Sequence, residues 1–262
     1  MLSLIPVVLK LAGLLLGLLT VQAEAAVGKR GVPFNDPPTW IQCWGGSKVS
    51  WAHNWGSRMP DGFPGNLEFI PMLWGLDGAH VDGWVNNANN ALSRGSGHLI
   101  AFNEPDACDW GQSCISPKDA ADGYRQHMAP FRGRASLGSP AITNRDQNLT
   151  WLKDFMRLCS DCPIDFITVH WYDHANNFAY FTWYMNQVHS ISGGRYIWIT
   201  EFNAAGTTDE QINFLNQALP WLDSTIWIQS YAWFWTDPLF QGGSLVNWAG
   251  RPTALGGEYG WH

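Results

Sequence analysis

The chain of 262 residues carries little charge. Charged side chains make up 14% of it, and the formal net charge is −7. A nucleic-acid-binding surface needs a basic stripe, and the 15 lysines and arginines are too thinly spread to form one. We therefore exclude a nucleic-acid partner and expect an uncharged ligand.

Several other signals are missing. No Pro/Ser-rich linker, charge run or repeat divides the chain. No Gly-rich phosphate loop follows a predicted strand, which disfavours an open, doubly wound nucleotide-binding sheet as the alternative fold. Residues 31–262 have the usual length of one α/β barrel, so we expect a single catalytic domain, a monomer that needs no cofactor.

Long apolar runs are absent after the first 25 residues. Lys10 interrupts the apolar segment Leu2–Val21, and small residues follow it at Ala23–Ala25. This pattern predicts a secretory signal peptide over residues 1–25, with Lys29-Arg30 as a site of further processing. A membrane span is the alternative interpretation. We expect a secreted protein, extracellular or bound to a cell wall, with no membrane contact once the signal is removed.

Five cysteines are few enough to restrict the disulfide pattern. In a secreted chain they suggest two disulfides and one leftover thiol. The closest pairs in sequence are Cys108 with Cys114 and Cys159 with Cys162, which leaves Cys43 unpaired. A redox motif or a zinc site formed by these cysteines is disfavoured by its placement and spacing. Asn148-Leu149-Thr150 is a candidate glycosylation acceptor at Asn148.

Aromatic residues, in contrast, are abundant. The chain has 17 Trp, 13 Phe and 7 Tyr. We expect more than half of the tryptophans to fill the core. The remainder exceed what a core of this size needs, and exposed aromatic faces suit the apolar faces of sugar rings.

Strand and helix patterns alternate along the chain. The eight predicted strands are residues 31–35, 49–56, 67–74, 98–103, 134–139, 165–172, 195–201 and 226–235. Most are followed by apolar residues at helical spacing, and Thr208 with Gln211 forms a predicted capping box. Eight such repeats predict a single (β/α)8 TIM barrel.

Two glutamates close two of these apolar strands. Glu104 ends strand four and Glu201 ends strand seven, which puts both on the catalytic face that barrel enzymes use. A buried carboxylate is costly unless it is paired or functional. Two carboxylates at converging strand ends are what glycoside hydrolysis needs, one as acid/base and one as nucleophile.

Four motifs together resemble glycoside hydrolase family 128. They are Trp51–Gly56, Phe102–Asp106, Val169–Tyr172 and Ile199–Phe202, in this order along the chain. The family belongs to clan A and contains the β-1,3-glucanases called alkali-sensitive linkage proteins. His53 departs from the pattern, where Tyr is expected. The resemblance implies a secreted retaining endo-β-1,3-glucanase of cell-wall carbohydrate metabolism that binds β-1,3-glucan and needs neither metal nor cofactor.

The resemblance also implies individual roles. Glu104 would be the general acid/base and Glu201 the nucleophile, with carboxyl groups about 5–5.5 Å apart. An ionised Glu201 would then raise the pKa of Glu104 and keep it protonated. Asn103 would bind the 2-hydroxyl of the sugar. The other predicted substrate-binding residues are Asn54, Trp55, Trp74, His170, Tyr172 and Trp235.

Two other functions compete with this one. The first is an inactive wall-bound lectin or adhesin on the same barrel, which would normally have lost one glutamate, whereas both are present. The second is a metal-dependent hydrolase that draws on the eight histidines. We recognise no His-x-x-x-His or His-x-His cluster, so it is disfavoured.

Overall fold

The computed structural model describes residues 28–109 and 111–262. The predicted signal peptide over residues 1–25 lies outside the described residues. None of the helices within them combines the length and the apolar character that crossing a membrane requires.

Eight parallel strands form the centre of the fold. They are β1 (Arg30–Pro33), β2 (Val49–His53), β3 (Glu68–Phe69), β4 (His98–Leu99), β5 (Ser136–Leu137), β6 (Phe166–His174), β7 (Tyr196–Ala205) and β8 (Ile228–Trp233). Six of them pair in the order β3-β2-β1-β8-β7-β6, and β4 pairs with β5. Isolated parallel bridges link the two sheets at both edges, Met72 with Ile100 and Gly138 with Phe166. The arrangement fits the predicted (β/α)8 barrel.

Helices connect the strands on the outside. They are a 3-10 helix (Pro38–Trp44), α1 (Gly78–Val81), α2 (Trp84–Ser93), α3 (Pro117–Gly123), α4 (Thr150–Leu158), α5 (Phe178–Ile191), α6 (Thr208–Ser224) and α7 (Ala254–Trp261). α3 continues through a π-helical turn (Tyr124–Met128) and a 3-10 turn (Ala129–Phe131). The capping box of α6 is formed by Thr207 and Glu210, so the prediction from Thr208 and Gln211 was wrong by one residue.

Two apolar cores hold these layers together. A small one lies inside the barrel and contains Trp51, Phe166 and Trp198 among others, whereas the larger one lies between strands and helices. Six tryptophans in the described part of the chain are fully buried. They are Trp44, Trp51, Trp84, Trp171, Trp198 and Trp233.

The strands differ from the predicted ones in length. β3 and β5 are shorter, and a proline follows each at Pro71 and Pro140. Proline cannot donate to the ladder, so regular pairing stops early there. β4 is shorter as well and ends at Leu99, so the prediction that Glu104 ends strand four was wrong. β7 is longer, because its pairing with β6 continues past Glu201 to Ala205. The prediction that Glu201 ends its strand was therefore wrong, although the side chain still enters the cleft.

Lys29 and Arg30 are integrated in the fold. Arg30 begins β1, is 1% exposed, and forms a 2.8 Å ion pair with Asp223. The ammonium of Lys29 donates to three carbonyls near the end of α6, those of Leu222, Asp223 and Thr225. Cleavage after residue 30 would remove these contacts, and whether it occurs stays a prediction.

Candidate active site

A cleft of about 940 Å³ opens at the carboxyl ends of the strands. Its size lies within the usual range of small-molecule sites. The lining residues are Asn35, Trp55, Trp74, Asn103, Glu104, Gln112, Thr143, Asn144, Arg145, Tyr172, Glu201, Phe234 and Trp235. Seven of these are predicted site residues, and they come from six different strand ends or the loops that follow them.

Glu104 projects into the cleft from the loop after β4. Its backbone has a φ of 45°, a left-handed conformation that is uncommon for residues other than glycine. A backbone hydrogen bond holds this conformation: the Glu104 amide donates to the Ala141 carbonyl at 2.8 Å. The residue is 8% exposed. Its carboxyl group is thus fixed at the cleft floor with one edge facing the open space.

Glu201 lies opposite, on β7. An irregularity in the β6–β7 register pairs His170 with Glu201 directly after Val169 with Ile199. Both carboxylate oxygens of Glu201 accept hydrogen bonds: Oε1 from the Trp55 indole at 2.6 Å, and Oε2 from the Tyr172 hydroxyl. Two donors aimed at one carboxylate stabilise its ionised form and fix its orientation.

The imidazole ring of His170 contacts the carboxyl groups of both glutamates. The ring is fully buried, with Nδ1 2.9 Å from Glu104 Oε1 and Nε2 3.0 Å from the Thr200 hydroxyl. Nε2 is also 3.4 Å from Glu201 Oε1. His170 does not line the cleft, so its predicted contact with sugar is replaced by contact with both carboxyl groups.

The electrostatics of this trio differ from the sequence-based expectation. Burial favours a higher pKa for Glu104, but the hydrogen bond and charge of His170, with help from Arg145, outweigh it and lower the pKa. Burial raises the pKa of Glu201, against the charge of His170 and the donors Tyr172 and Trp55. The pKa of His170 is raised: burial lowers it, but both carboxylates favour the imidazolium. The expectation that Glu201 raises the pKa of Glu104 overlooked the imidazolium between them.

The same trio satisfies the geometry of a metal-binding cluster. One ligand atom from each of Glu104, His170 and Glu201 lies within 4.8 Å of the others. Both ring nitrogens of His170 already have hydrogen-bonding oxygens as neighbours, and this arrangement suits proton transfer between the ring and a carboxyl group. His170 and His174 have His-x-x-x-His spacing, which the sequence argument overlooked, but His174 is exposed at the end of β6 and outside this cluster.

Aromatic side chains form the walls of the cleft. Trp55 and Trp235 meet edge to face at 5.3 Å, and Phe234 stacks on Trp235 at 5.0 Å. Trp74 stacks on His80 at 4.7 Å, which supports the indole from one side. β8 ends at Trp233, which is buried on the outer side of the sheet. Trp235 lies beyond the end of this strand, so the alternation of side chains along a strand does not determine which way it points.

Asn103 carries an unsatisfied polar atom in the cleft. Its Nδ2 donates to Gln112 Oε1 at 3.0 Å, whereas its buried Oδ1 has no hydrogen-bond partner in the described part of the chain. Sequence reasoning missed Gln112, because it lies in a loop without a recognisable motif. The other cleft residues missed are Asn35, Thr143, Asn144, Arg145 and Phe234.

Two residues near the motif on β2 behave as structural groups. Asn54 donates to Asp36 at 2.9 Å and accepts from the Gly56 amide at 3.1 Å, so it holds a turn outside the cleft and not a sugar. His53 is fully buried, and burial lowers its pKa to about 3. The neutral ring contacts the Thr200 carbonyl at 3.1 Å and supports the strand that carries Glu201.

The remaining predicted sites are the disulfides and the glycosylation acceptor. The structure contains the disulfides Cys108–Cys114 and Cys159–Cys162, and Cys43 is a free thiol. Asn148 is exposed just before α4, which leaves its glycosylation a prediction.

The chain is similar to known glycoside hydrolases and to a cell-wall linkage protein. The family described as "Glycosyl hydrolase catalytic core" matches residues 31–259. Alkali-sensitive linkage protein 1 of Schizosaccharomyces pombe is 33% identical over 196 residues, 71% of this chain but 34% of that protein. The chain therefore spans about a third of the length of this curated relative.

Solved structures match over almost their whole length. A curdlan-specific exo-β-1,3-glucanase of GH128 subgroup III from Blastomyces gilchristii is 36% identical, with a TM-score of 0.78 over 90% of this chain and 99% of that one. A subgroup I endo-β-1,3-glucanase from Amycolatopsis mediterranei, solved with laminaritriose, is 27% identical, with a TM-score of 0.74 over 88% and 98%.

Proposed function

The chain belongs to glycoside hydrolase family 128 and is a glycoside hydrolase, and from this premise we propose that it is a secreted, retaining endo-β-1,3-glucanase. The observation that carries the proposal is the approach of Glu104 and Glu201, with carboxylate oxygens within 4.8 Å. Carboxyl groups lie about 5–5.5 Å apart in retaining enzymes and about 6.5–9.5 Å apart in inverting ones, which admit a water between them. Oxygens that approach this closely support the nearer arrangement and therefore double displacement.

The two carboxyl groups divide the reaction between them. Glu201, held by Trp55 and Tyr172, attacks the anomeric carbon while Glu104 protonates the departing oxygen. The glycosyl–Glu201 ester is then attacked by a water from which Glu104 takes the proton. His170 lies 2.9 Å from Glu104 and carries the proton that the pair shares. Glu104 therefore acts as an acid despite its lowered pKa, because the imidazolium can return a proton to it.

The cleft suits a neutral polysaccharide chain. Its aromatic walls, which include Trp55, Trp74 and Trp235, offer faces to sugar rings. The GH128 relatives act on β-1,3-glucans, which supports that linkage. Internal cleavage is the activity of the subgroup I relative, whereas the subgroup III relative is an exo-enzyme.

Secretion is supported by two features. The apolar segment Leu2–Val21 with its small-residue site has the composition of a signal peptide. Two disulfides in one domain are typical of proteins that mature in an oxidising compartment. Nothing in the site favours a non-catalytic lectin, since both glutamates are present and aligned.

The test is hydrolysis of a linear β-1,3-glucan, with and without a chelator. We expect release of reducing sugar that the chelator does not change, and early products of many lengths. A single short product from the start would replace internal by terminal cleavage. A first-formed product with α configuration in the anomeric NMR signal would contradict retention, and no hydrolysis at all would contradict the enzymatic proposal.

A further inference from the structure

The amide of Asn103 is oriented by one side chain. The Asn103 backbone is fixed, since its N–H donates to the Trp74 carbonyl at 2.9 Å. Among the residues that the structure describes, its side-chain amide has one protein partner, Gln112, whose Oε1 accepts from Nδ2 at 3.0 Å. Oδ1 is buried and has no partner among these residues. A buried acceptor without a donor is destabilising, so this atom is suited to a donor that arrives with the substrate.

Gln112 is carried by a loop that is tied down at several points. The loop joins β4 to α3, and the disulfide Cys108–Cys114 closes it on either side of Gln112. The Ile115 amide donates to the Pro105 carbonyl at 3.0 Å, which fastens the end of the loop to the segment that follows Glu104. An ion pair of 2.5 Å joins Asp109 in this loop to Arg145 in the loop after β5.

We propose that Gln112 is a positioning residue that selects which end of the Asn103 amide faces the substrate. The two ends of an amide have nearly the same shape but opposite hydrogen-bonding character. By accepting from Nδ2, Gln112 directs Oδ1 to the sugar between the two glutamates. The expected donor is the 2-hydroxyl of that sugar, whose hydrogen bonds strengthen in the transition state. The inference rests on the proposed glycosidase function.

The disulfide has a role in this arrangement. Without the cross-link, the loop that carries Gln112 would have more conformations available, and the acceptor for Nδ2 would be present only part of the time. The amide of Asn103 could then rotate and present its N–H to the sugar. Cys108–Cys114 therefore supports catalysis through Gln112 and Asn103, whereas Cys159–Cys162 lies at the far end of α4 and has no such connection.

The test compares two substrates that differ by one hydroxyl. They are an aryl β-laminaribioside and its counterpart without the 2-hydroxyl on the ring next to the aryl group. In Gln112→Ala we expect kcat on the parent substrate to fall about tenfold, with little change in KM, because the lost bond acts mainly in the transition state. On the 2-deoxy substrate kcat should be nearly the same in the variant and the wild type.

Two controls separate positioning from general damage. Gln147→Ala removes an exposed glutamine outside the cleft and should leave both rates unchanged. The double variant Cys108→Ser/Cys114→Ser should behave like Gln112→Ala, whereas Cys159→Ser/Cys162→Ser should keep the wild-type ratio of the two rates.

The outcomes are distinguishable. An equal fall of kcat on both substrates in Gln112→Ala would refute the positioning role and leave the proposed function intact. Failure of the wild type to cleave either substrate would refute the proposed function and the inference with it. Selective loss on the parent substrate alone, in the glutamine variant and in the first cysteine variant, supports the proposal.

Discussion

The hydroxyl of Tyr172 offers a sharp test of how the nucleophile is held. It donates to Oε2 of Glu201, while the Trp55 indole serves Oε1. The Tyr172 ring is packed edge to face against Phe234 at 5.6 Å, so Tyr172→Phe should keep the ring in place and remove only the donor. The variant thus changes one hydrogen bond at a carboxylate that is 4% exposed.

The size of the effect follows from that burial. Water cannot readily replace the lost donor, so the ionised carboxylate becomes less stable by about 1–3 kcal/mol. If the transition state of the first displacement loses the same free energy, kcat/KM falls by about 5- to 150-fold. Glu201 remains present and aligned by Trp55, so the variant should retain measurable turnover.

The pH dependence gives the sign of the effect. Burial already raises the pKa of Glu201, and the hydrogen bond from Tyr172 opposes that rise. Removing the bond raises the pKa further. Since the nucleophile must be ionised, activity is lost as the pH falls through this pKa. The acid limb of the kcat/KM profile should therefore move to higher pH in Tyr172→Phe.

The assay is the kcat/KM profile on a soluble β-1,3-glucan oligosaccharide. Tyr124→Phe is the matched control, because Tyr124 is also buried and its hydroxyl donates to a distant carbonyl, that of Pro163, at 3.3 Å. The control should leave the acid limb in place. An unmoved acid limb in Tyr172→Phe, or a limb that moves equally in both variants, would refute the assigned role of Tyr172.

Three other variants test the trio directly. Glu104→Gln should fold normally but lose most turnover, and activity within a few-fold of wild type would remove Glu104 from the mechanism. Glu201→Gly leaves a hole on the α-face of the sugar; azide should fill it and give an α-glycosyl azide from an activated β-glucoside, visible by NMR, and a β adduct would contradict direct displacement. His170→Gln removes the charge that lowers the pKa of Glu201, so the acid limb of kcat/KM should move to higher pH; an unchanged limb would show that His170 is neutral in the active state.

Much of the fold could be predicted because its signals are local and repeated. Apolar runs alternate with helical periodicity eight times, and in a parallel barrel this alternation determines which strand ends share a face. Once Glu104 and Glu201 are assigned to strands four and seven, their convergence follows from topology. Tyr172 was predicted to lie in the site, and it shares a face of β6 with His170.

The details that failed depend on contacts between distant segments. Gln112 meets Asn103 only because a disulfide-closed loop folds back on the cleft. Asn54 was predicted to bind the sugar, but its side chain donates to Asp36, which belongs to another loop. The pKa of Glu104 is lowered, and not raised as expected, because of an imidazole 66 positions away in sequence. Neither periodicity nor a motif encodes such pairings.

Backbone strain at the cleft was also invisible in the sequence. Among the described residues other than glycine, positive φ occurs at Trp55, Glu104, Cys114 and Leu149. Such conformations cost about 1–3 kcal/mol each and persist only where the surroundings determine them. At Glu104 the surroundings are the bond to Ala141 at 2.8 Å and the acceptance of the Ala107 amide at 3.1 Å.

The placement of this strain is connected with the chemistry. Trp55 donates to Glu201, the proposed nucleophile, and Glu104 is the proposed acid/base, so two of these residues line the cleft at the proposed chemistry. A regular strand would alternate their side chains between the barrel interior and the helices. At both residues the chain instead leaves the strand in a left-handed conformation, which directs the side chain across the strand ends. The cost of the strain is therefore offset by the hydrogen bonds of the barrel strands, and the two turns bring the indole and the carboxyl group into the same cleft.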